Sequence, residues 1–188
     1  MVRIRRLKIT AWSGRTDELR TWTLGSQVVG LAPAGEDVPW QSLAADVTGR
    51  LWGVPRSADA EPVELYVQPD PITAILAIPG EGRRTGVALA VGEWIDILSL
   101  TEKGAAESRA VVTAHRRPVL GLCLMAGASA QPRLVSGDTD GLIVVYDLVA
   151  LREVVRLTIG LPVLSLAAND DALAVGTSGG VLLLDLAR

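Results

Sequence analysis

The sequence predicts an all-β chain, a β-propeller of four-stranded antiparallel blades, with about four blades in this chain or with the chain forming part of a larger ring. Three observations carry that expectation. A pattern of branched aliphatic, any residue, small residue, aliphatic recurs as Val28-Val29-Gly30-Leu31, Ile72-Thr73-Ala74-Ile75, Val119-Leu120-Gly121-Leu122 and Val163-Leu164-Ser165-Leu166, at steps of 44, 47 and 44 residues. That is the period of a propeller blade. Between the copies lie further short apolar stretches of strand character, divided by Gly, Asp, Asn, Ser and Pro. No segment sustains a helical period.

Taken in order, residues 3–12 and 19–24 read as two strands joined by the polar turn Ser13-Gly14-Arg15-Thr16-Asp17-Glu18. Strands at 41–45, 50–54 and 62–67 follow the first motif, and 86–91, 94–100 and 109–113 follow the second. The third is followed by 133–137, 142–148 and 153–158, the fourth only by 172–176 and 181–186. The clearest unit is 132–148. There Asp140-Gly141 supplies the positive φ angles of a two-residue hairpin turn, and the run from Leu142 to Val145 is apolar at every position, so both faces of its strand must be covered.

Gly30, Ala74, Gly121 and Ser165 are small because the innermost strands of a propeller converge on its axis, where large side chains collide. The organisation is a single domain, 1–188, with blades over 26–70, 71–117 and 118–161; residues 1–25 and 162–188 supply terminal strands. If 19–24 completes the blade begun at Val163, the chain makes four blades with one strand left over. Otherwise it is half a ring, completed by a second copy or a different protein into seven or eight blades. An unmatched strand and an unclosed blade are exposed edges that need a partner, so an oligomer or obligate complex is the favoured outcome.

A chain of 188 residues with 49% hydrophobic content buries a sizeable core. Its net charge of -3 exerts no general pull toward nucleic acid or anionic lipid, and neither is expected as a partner. The basic residues Arg3, Arg5, Arg6 and Lys8 alternate with Ile4, Leu7 and Ile9, as in an edge strand defended by charge. No apolar run approaches the roughly twenty residues of a membrane span, and the start has no signal-peptide core; the expected location is cytoplasmic. Cys123, the single cysteine, reads as a buried small hydrophobe.

Over residues 114–158 the third repeat resembles a WD-repeat β-propeller blade. Ala114-His115 stands where that family has Gly-His, Ser136-Gly137-Asp138-Thr139-Asp140-Gly141 matches its Ser-Gly-x-x-Asp-Gly, and Tyr146-Asp147 takes the place of Trp-Asp. The resemblance implies a hydrogen-bonded network of His115, Ser136, Asp140 and Tyr146 that staples the blade. A buried imidazole needs partners for both nitrogens, and a carboxylate and a hydroxyl provide them. The fourth repeat keeps less of the signature, with Gly160-Leu161 and Leu184-Asp185; the first two keep the period alone, with Thr48-Gly49 and Glu93-Trp94 at their turns.

Motifs for chemistry are missing: there is no metal-spaced Cys/His cluster, no Gly-x-Ser-x-Gly, no phosphate loop and no His-Glu-x-x-His. Pro79-Gly80-Glu81-Gly82-Arg83-Arg84 and Asn169-Asp170-Asp171 read as polar turns. Asp138, Asp140 and Asp147 lack the glutamate that closes a calcium loop. No catalytic residue, metal or cofactor is expected, and no small-molecule substrate. The reading is a non-enzymatic protein-interaction scaffold, a subunit of a larger assembly whose partner is another protein or a second copy. Candidate contacts are the tryptophans Trp12, Trp22 and Trp94 and the rim charges Arg83, Arg84, Arg116 and Arg117. Two other readings stay open: a structural half-ring completed by a second chain, and a ligand binder or enzyme using the axial channel.

Overall fold

The computed structural model describes residues 8–13, 16–57, 59–79, 85–101, 103–126, 132–169 and 172–185, the stretch up to residue 21 as backbone only. Among them every regular element is a strand. A hairpin of β1 (Lys8–Ser13) and β2 (Thr16–Thr23) opens the chain. The first sheet holds β3 (Val28–Pro33), β4 (Trp40–Asp46), β5 (Arg50–Pro55) and β6 (Val63–Val67). The second holds β7 (Ile72–Ile78), β8 (Gly86–Val91), β9 (Trp94–Leu100) and β10 (Ala106–Val112). The third holds β11 (Val119–Ala126), β12 (Pro132–Asp138), β13 (Leu142–Asp147) and β14 (Arg152–Thr158). The fourth has three strands, β15 (Val163–Ala168), β16 (Ala172–Thr177) and β17 (Gly180–Asp185). Within each sheet the strands are antiparallel and adjacent in chain order, and β3, β7, β11 and β15 pack against one another in succession. This is the radial arrangement of propeller blades around inner strands, as the period predicts.

Each repeat motif opens an inner strand, and each carries a register shift at the same place: between Val28 and Gly30, Ile72 and Ala74, Val119 and Gly121, Val163 and Ser165. The position open to any residue is thus a β-bulge, which bends the strand and sharpens its twist. The small residue after the bulge lets the next sheet approach. A Cβ on Gly30 would stand 2.7 Å from Ile75 Cγ2, and one on Gly121 3.0 Å from Leu166 Cγ. The core is correspondingly divided between sheets. Leu43, Leu51, Leu89 and Leu98 lie between the first two, Ile95, Ile97, Val119 and Leu134 between the middle two, and Ile143, Val145, Leu173 and Val175 between the last two. A fourth, smaller cluster sets Trp22 and Leu24 against Ala44 and Val54 on the far face of the first sheet.

Of the two ways of closing the chain, the structure does not show the one in which residues 19–24 complete the last sheet: among the described residues β2 pairs with β1 alone, and the sheet of β15 to β17 has three strands. Trp22 and Leu24 find apolar cover on the first sheet instead. The turn at Asp140-Gly141 is also not a two-residue hairpin. Thr139, Asp140 and Gly141 form a three-residue loop in which Gly141 alone has positive φ, at 83°, and its amide donates to the Asp138 carbonyl at 3.2 Å. This is a tight turn closed by a left-handed residue.

Candidate functional site

The groups with the most chemical potential are buried carboxylates. In the third sheet, β12 ends at Asp138, whose Oδ1 accepts the amides of Asp140 and Leu142, both at 3.0 Å, and so shapes the turn. Its Oδ2 lies 2.9 Å from His115 Nδ1, and Nε2 of the same ring lies 2.7 Å from Ser136 Oγ. The structure thus brings together His115 and Ser136 but uses Asp138 where the resemblance implied Asp140. Asp140 sits on the exposed tip of the turn, paired with Arg117 at 3.1 Å. Tyr146 lies outside the network too; it is half-buried against the apolar cluster between the second and third sheets. Carboxylate, imidazole and hydroxyl in line form the array that nucleophilic catalysis employs. Here Asp138, His115 and Ser136 are 1%, 5% and 2% exposed, and the array ties the segment before β11 to β12.

A second staple, in the first sheet, was not foreseen. Asp46, fully buried, ends β4 as Asp138 ends β12. Its Oδ1 accepts from the Thr48 amide (2.8 Å), the Thr48 hydroxyl (2.7 Å) and the Arg50 amide (3.1 Å). Its Oδ2 accepts from Trp52 Nε1 (2.9 Å) and from the Ser26 hydroxyl. Burial pushes this carboxyl's pKa up, but the donors Ser26, Trp52, Thr48 and Arg50 outweigh it and hold the group below the usual carboxylate range. The signal was present: Asp46-Val47-Thr48-Gly49 and Asp138-Thr139-Asp140-Gly141 share Asp-x-x-Gly. A third carboxylate, Asp96 on β9, joins the first sheet to the second as well as β9 to β10, accepting from Tyr66 Oη at 3.1 Å, from the Gln68 amide group, and from Ser108 Oγ on β10 at 2.7 Å. Burial first, and then the Asp96 charge, raise the Tyr66 phenol. Among the described residues no buried side-chain polar atom lacks a partner, and no cluster of three or more His, Cys, Asp or Glu is placed to hold a metal ion. Burial pushes the Cys123 thiol up to about 12, which keeps it inert.

The candidate contacts distribute unevenly. Trp22 is a core residue, its indole N–H donating to the Ala60 carbonyl at 3.2 Å, so it is not a partner anchor. Trp94 is half-buried against the first core cluster. The Trp12 side chain, Arg83 and Arg84 lie outside what the structure describes. Arg116 and Arg117 are exposed. A cleft of roughly 420 Å³ opens between the second sheet and the β13–β14 turn, lined by Ile78, Ser99, Arg109, Leu148, Val149 and Leu151 among others. The Asp147 carboxylate builds that turn by accepting the Val149 and Ala150 amides at 2.9 and 2.8 Å. The bond from Ala150, foremost, keeps its pKa below the usual range. Leu151 follows with a φ of 50°, a left-handed conformation that costs a branched residue roughly 1–2 kcal/mol. Val149 and Leu151 are both exposed at the cleft.

No family model and no curated protein sequence matches the chain. Among solved structures it is similar to the WD40 β-propeller domain of Doa1, with a TM-score of 0.76 at 12% identity, over 96% of this chain and 58% of that one. It is also similar to the computationally designed Ika4 protein, with a TM-score of 0.64 at 15% identity, over 86% of this chain and 92% of that one. The fold these structures share with the chain is a β-propeller of antiparallel blades. The chain spans little more than half of the Doa1 propeller domain.

Proposed function

We propose that the protein is a non-catalytic protein-interaction scaffold, a subunit of a larger assembly, and that the cleft beside β13 receives an extended segment of a protein partner. The observation that carries this reading is the ordered turn of Asp147 to Leu151, which holds two aliphatic side chains in solvent at the edge of an apolar cleft. Natural surfaces seldom spend backbone strain on exposing a leucine without use for it. Arg109 stands at the same cleft, exposed and with no ion pair to another described residue. An apolar residue followed by a carboxylate is therefore the chemistry the cleft selects. The three buried carboxylates support a non-enzymatic role, being consumed in holding turns and sheets. Because Cys123 is a free buried thiol, the fold has no need of an oxidising compartment, which suits a cytoplasmic site.

Selection from a displayed library of random 15-residue peptides tests the reading. The expected result is enrichment of apolar–acidic sequences by the wild-type protein, lost in Arg109→Glu and in Val149→Asp. Enrichment that survives both substitutions, or no enrichment, overturns it.

A further inference from the structure

The three sheet-to-sheet interfaces inside the chain follow one rule, and the two flanks of the array display its unused halves. At each interface the fourth residue of an inner-strand motif lies against the small third residue of the motif before it. Ile75 lies against Gly30 and Leu166 against Gly121, and Leu122 shares a cluster with Ala74. Among the described residues Leu31 has no inner-strand motif before it and is 55% exposed, while Ser165 has none after it and is likewise exposed. The third strands repeat the point. Ile95 and Ile97, then Ile143 and Val145, are buried by the sheet that follows them; the matching Val181 and Leu183 are each 75% exposed.

The strands themselves are divided the same way. Trp22 precedes Val28 by six residues, as Tyr66 precedes Ile72 and Leu157 precedes Val163. Strand β2 therefore occupies, against the first sheet, the place of the fourth strand of a preceding blade, yet among the described residues it pairs with β1 alone. Among the described residues the last sheet has three strands, and β17 pairs with β16 alone. Among the described residues no core cluster joins the first sheet to the last. The chain thus carries a sheet short of a strand at one flank and a strand short of a sheet at the other.

We propose that two copies of this chain close head to tail into one ring, Leu31 of each copy seating against Ser165 of the other and β2 of each adding to the edge of β17. The occupant is a second copy because what each flank lacks is what the other flank shows, by the rule the chain already applies three times. Related by a two-fold axis, the copies form two identical interfaces and a closed ring, four sheets from each, eight in all, within the usual range of propellers. Closure covers the apolar face of Val181 and Leu183 and pairs the open edge of β17 with that of β2, two features that otherwise invite association. The match to 58% of the Doa1 propeller domain fits an arc rather than a closed ring. The proposal goes beyond the peptide cleft and does not depend on it.

The test is mass in solution for the full chain, with one variant at each flank. Leu183→Asp and Leu31→Asp alter side chains exposed in the single chain, so both fold, which matching thermal melts verify. The wild type is expected at twice the chain mass of 19.8 kDa. Each variant alone should dissociate at least about tenfold more readily. Mixing the two variants should restore a two-chain species, because one wild-type interface forms between the intact flank of each. A single-chain wild type, any other oligomer, a dimer indifferent to both substitutions, or a mixture that stays dissociated overturns the proposal. Peptide enrichment by Leu183→Asp reports separately on the cleft.

Discussion

Asp138 and Asp140 are two residues apart and chemically identical, yet one is sealed against His115 and the other points into solvent beside Arg117. Their substitutions should therefore separate widely. His115→Ala strands a buried carboxylate and is expected to cost about 3 kcal/mol, Ser136→Ala about 1 kcal/mol, and the double variant less than their sum. Asp140→Ala removes only an exposed pair and should cost at most about 1 kcal/mol. Urea unfolding midpoints give all four values, and an Asp140 variant as damaging as the His115 variant would refute the assignment. Asp46 adds a pH dependence. Its folded pKa lies below the value it has in the unfolded chain, so its stabilisation is complete above about pH 4 and is lost as pH falls through the lowered folded value. Asp46→Asn is expected to be less stable at neutral pH and to show a shallower loss between about pH 4 and 2. Thermal melts across that range check both; an unchanged acid limb contradicts the role given to the carboxylate.

At the scale of the strand, what was legible was set by repetition. Sheet-to-sheet spacing demands a small residue at each inner strand, and that demand left Gly30, Ala74, Gly121 and Ser165 in near-regular register for a reader of the sequence. The bulge beside each small residue was hidden, because a bulge changes pairing rather than residue type. The staple was half legible: His115 and Ser136 are fixed by the strands they flank, but the carboxylate depends on whether the turn holds two residues or three, which the sequence does not state. Asp46 was overlooked since neither Thr48-Gly49 nor Trp52 fits the Trp-Asp pattern, although Asp-x-x-Gly recurs. The small positions yield a sharp comparison. Gly30→Val drives a Cβ into Ile75 and should cost about 1–3 kcal/mol. Ser165→Val meets no following sheet and, measured in the Leu183→Asp background to remove self-association, should stay within about 0.5 kcal/mol. Equal losses at the two sites would show that Ser165 is covered within a single chain.

For the molecule as a whole, stability is a sum over neighbouring sheets, as in any array where each repeat touches only those beside it. The middle sheets are covered on both faces, and the first is covered on its far side by Trp22 and Leu24. The last sheet leans on the third alone, with Val181 and Leu183 in solvent. Its strands should therefore open below the free energy of global unfolding. Where the flanks failed to be legible, the reason is the same: every edge strand looks alike in sequence, and nothing in residues 19–24 says which free edge they join. Hydrogen–deuterium exchange read by mass spectrometry resolves this at two protein concentrations. Amides of β12 and β13 should exchange slowly and equally at both. Those of β17 should be protected at high concentration, exposed on dilution, and exposed at every concentration in Leu183→Asp. The same concentration dependence should appear in β2, because its outer edge is the surface that β17 of the second copy closes. Protection of β17 that ignores dilution, or a loss that spreads evenly through β12 and β13, would mean that the last sheet is stabilised from within its own chain.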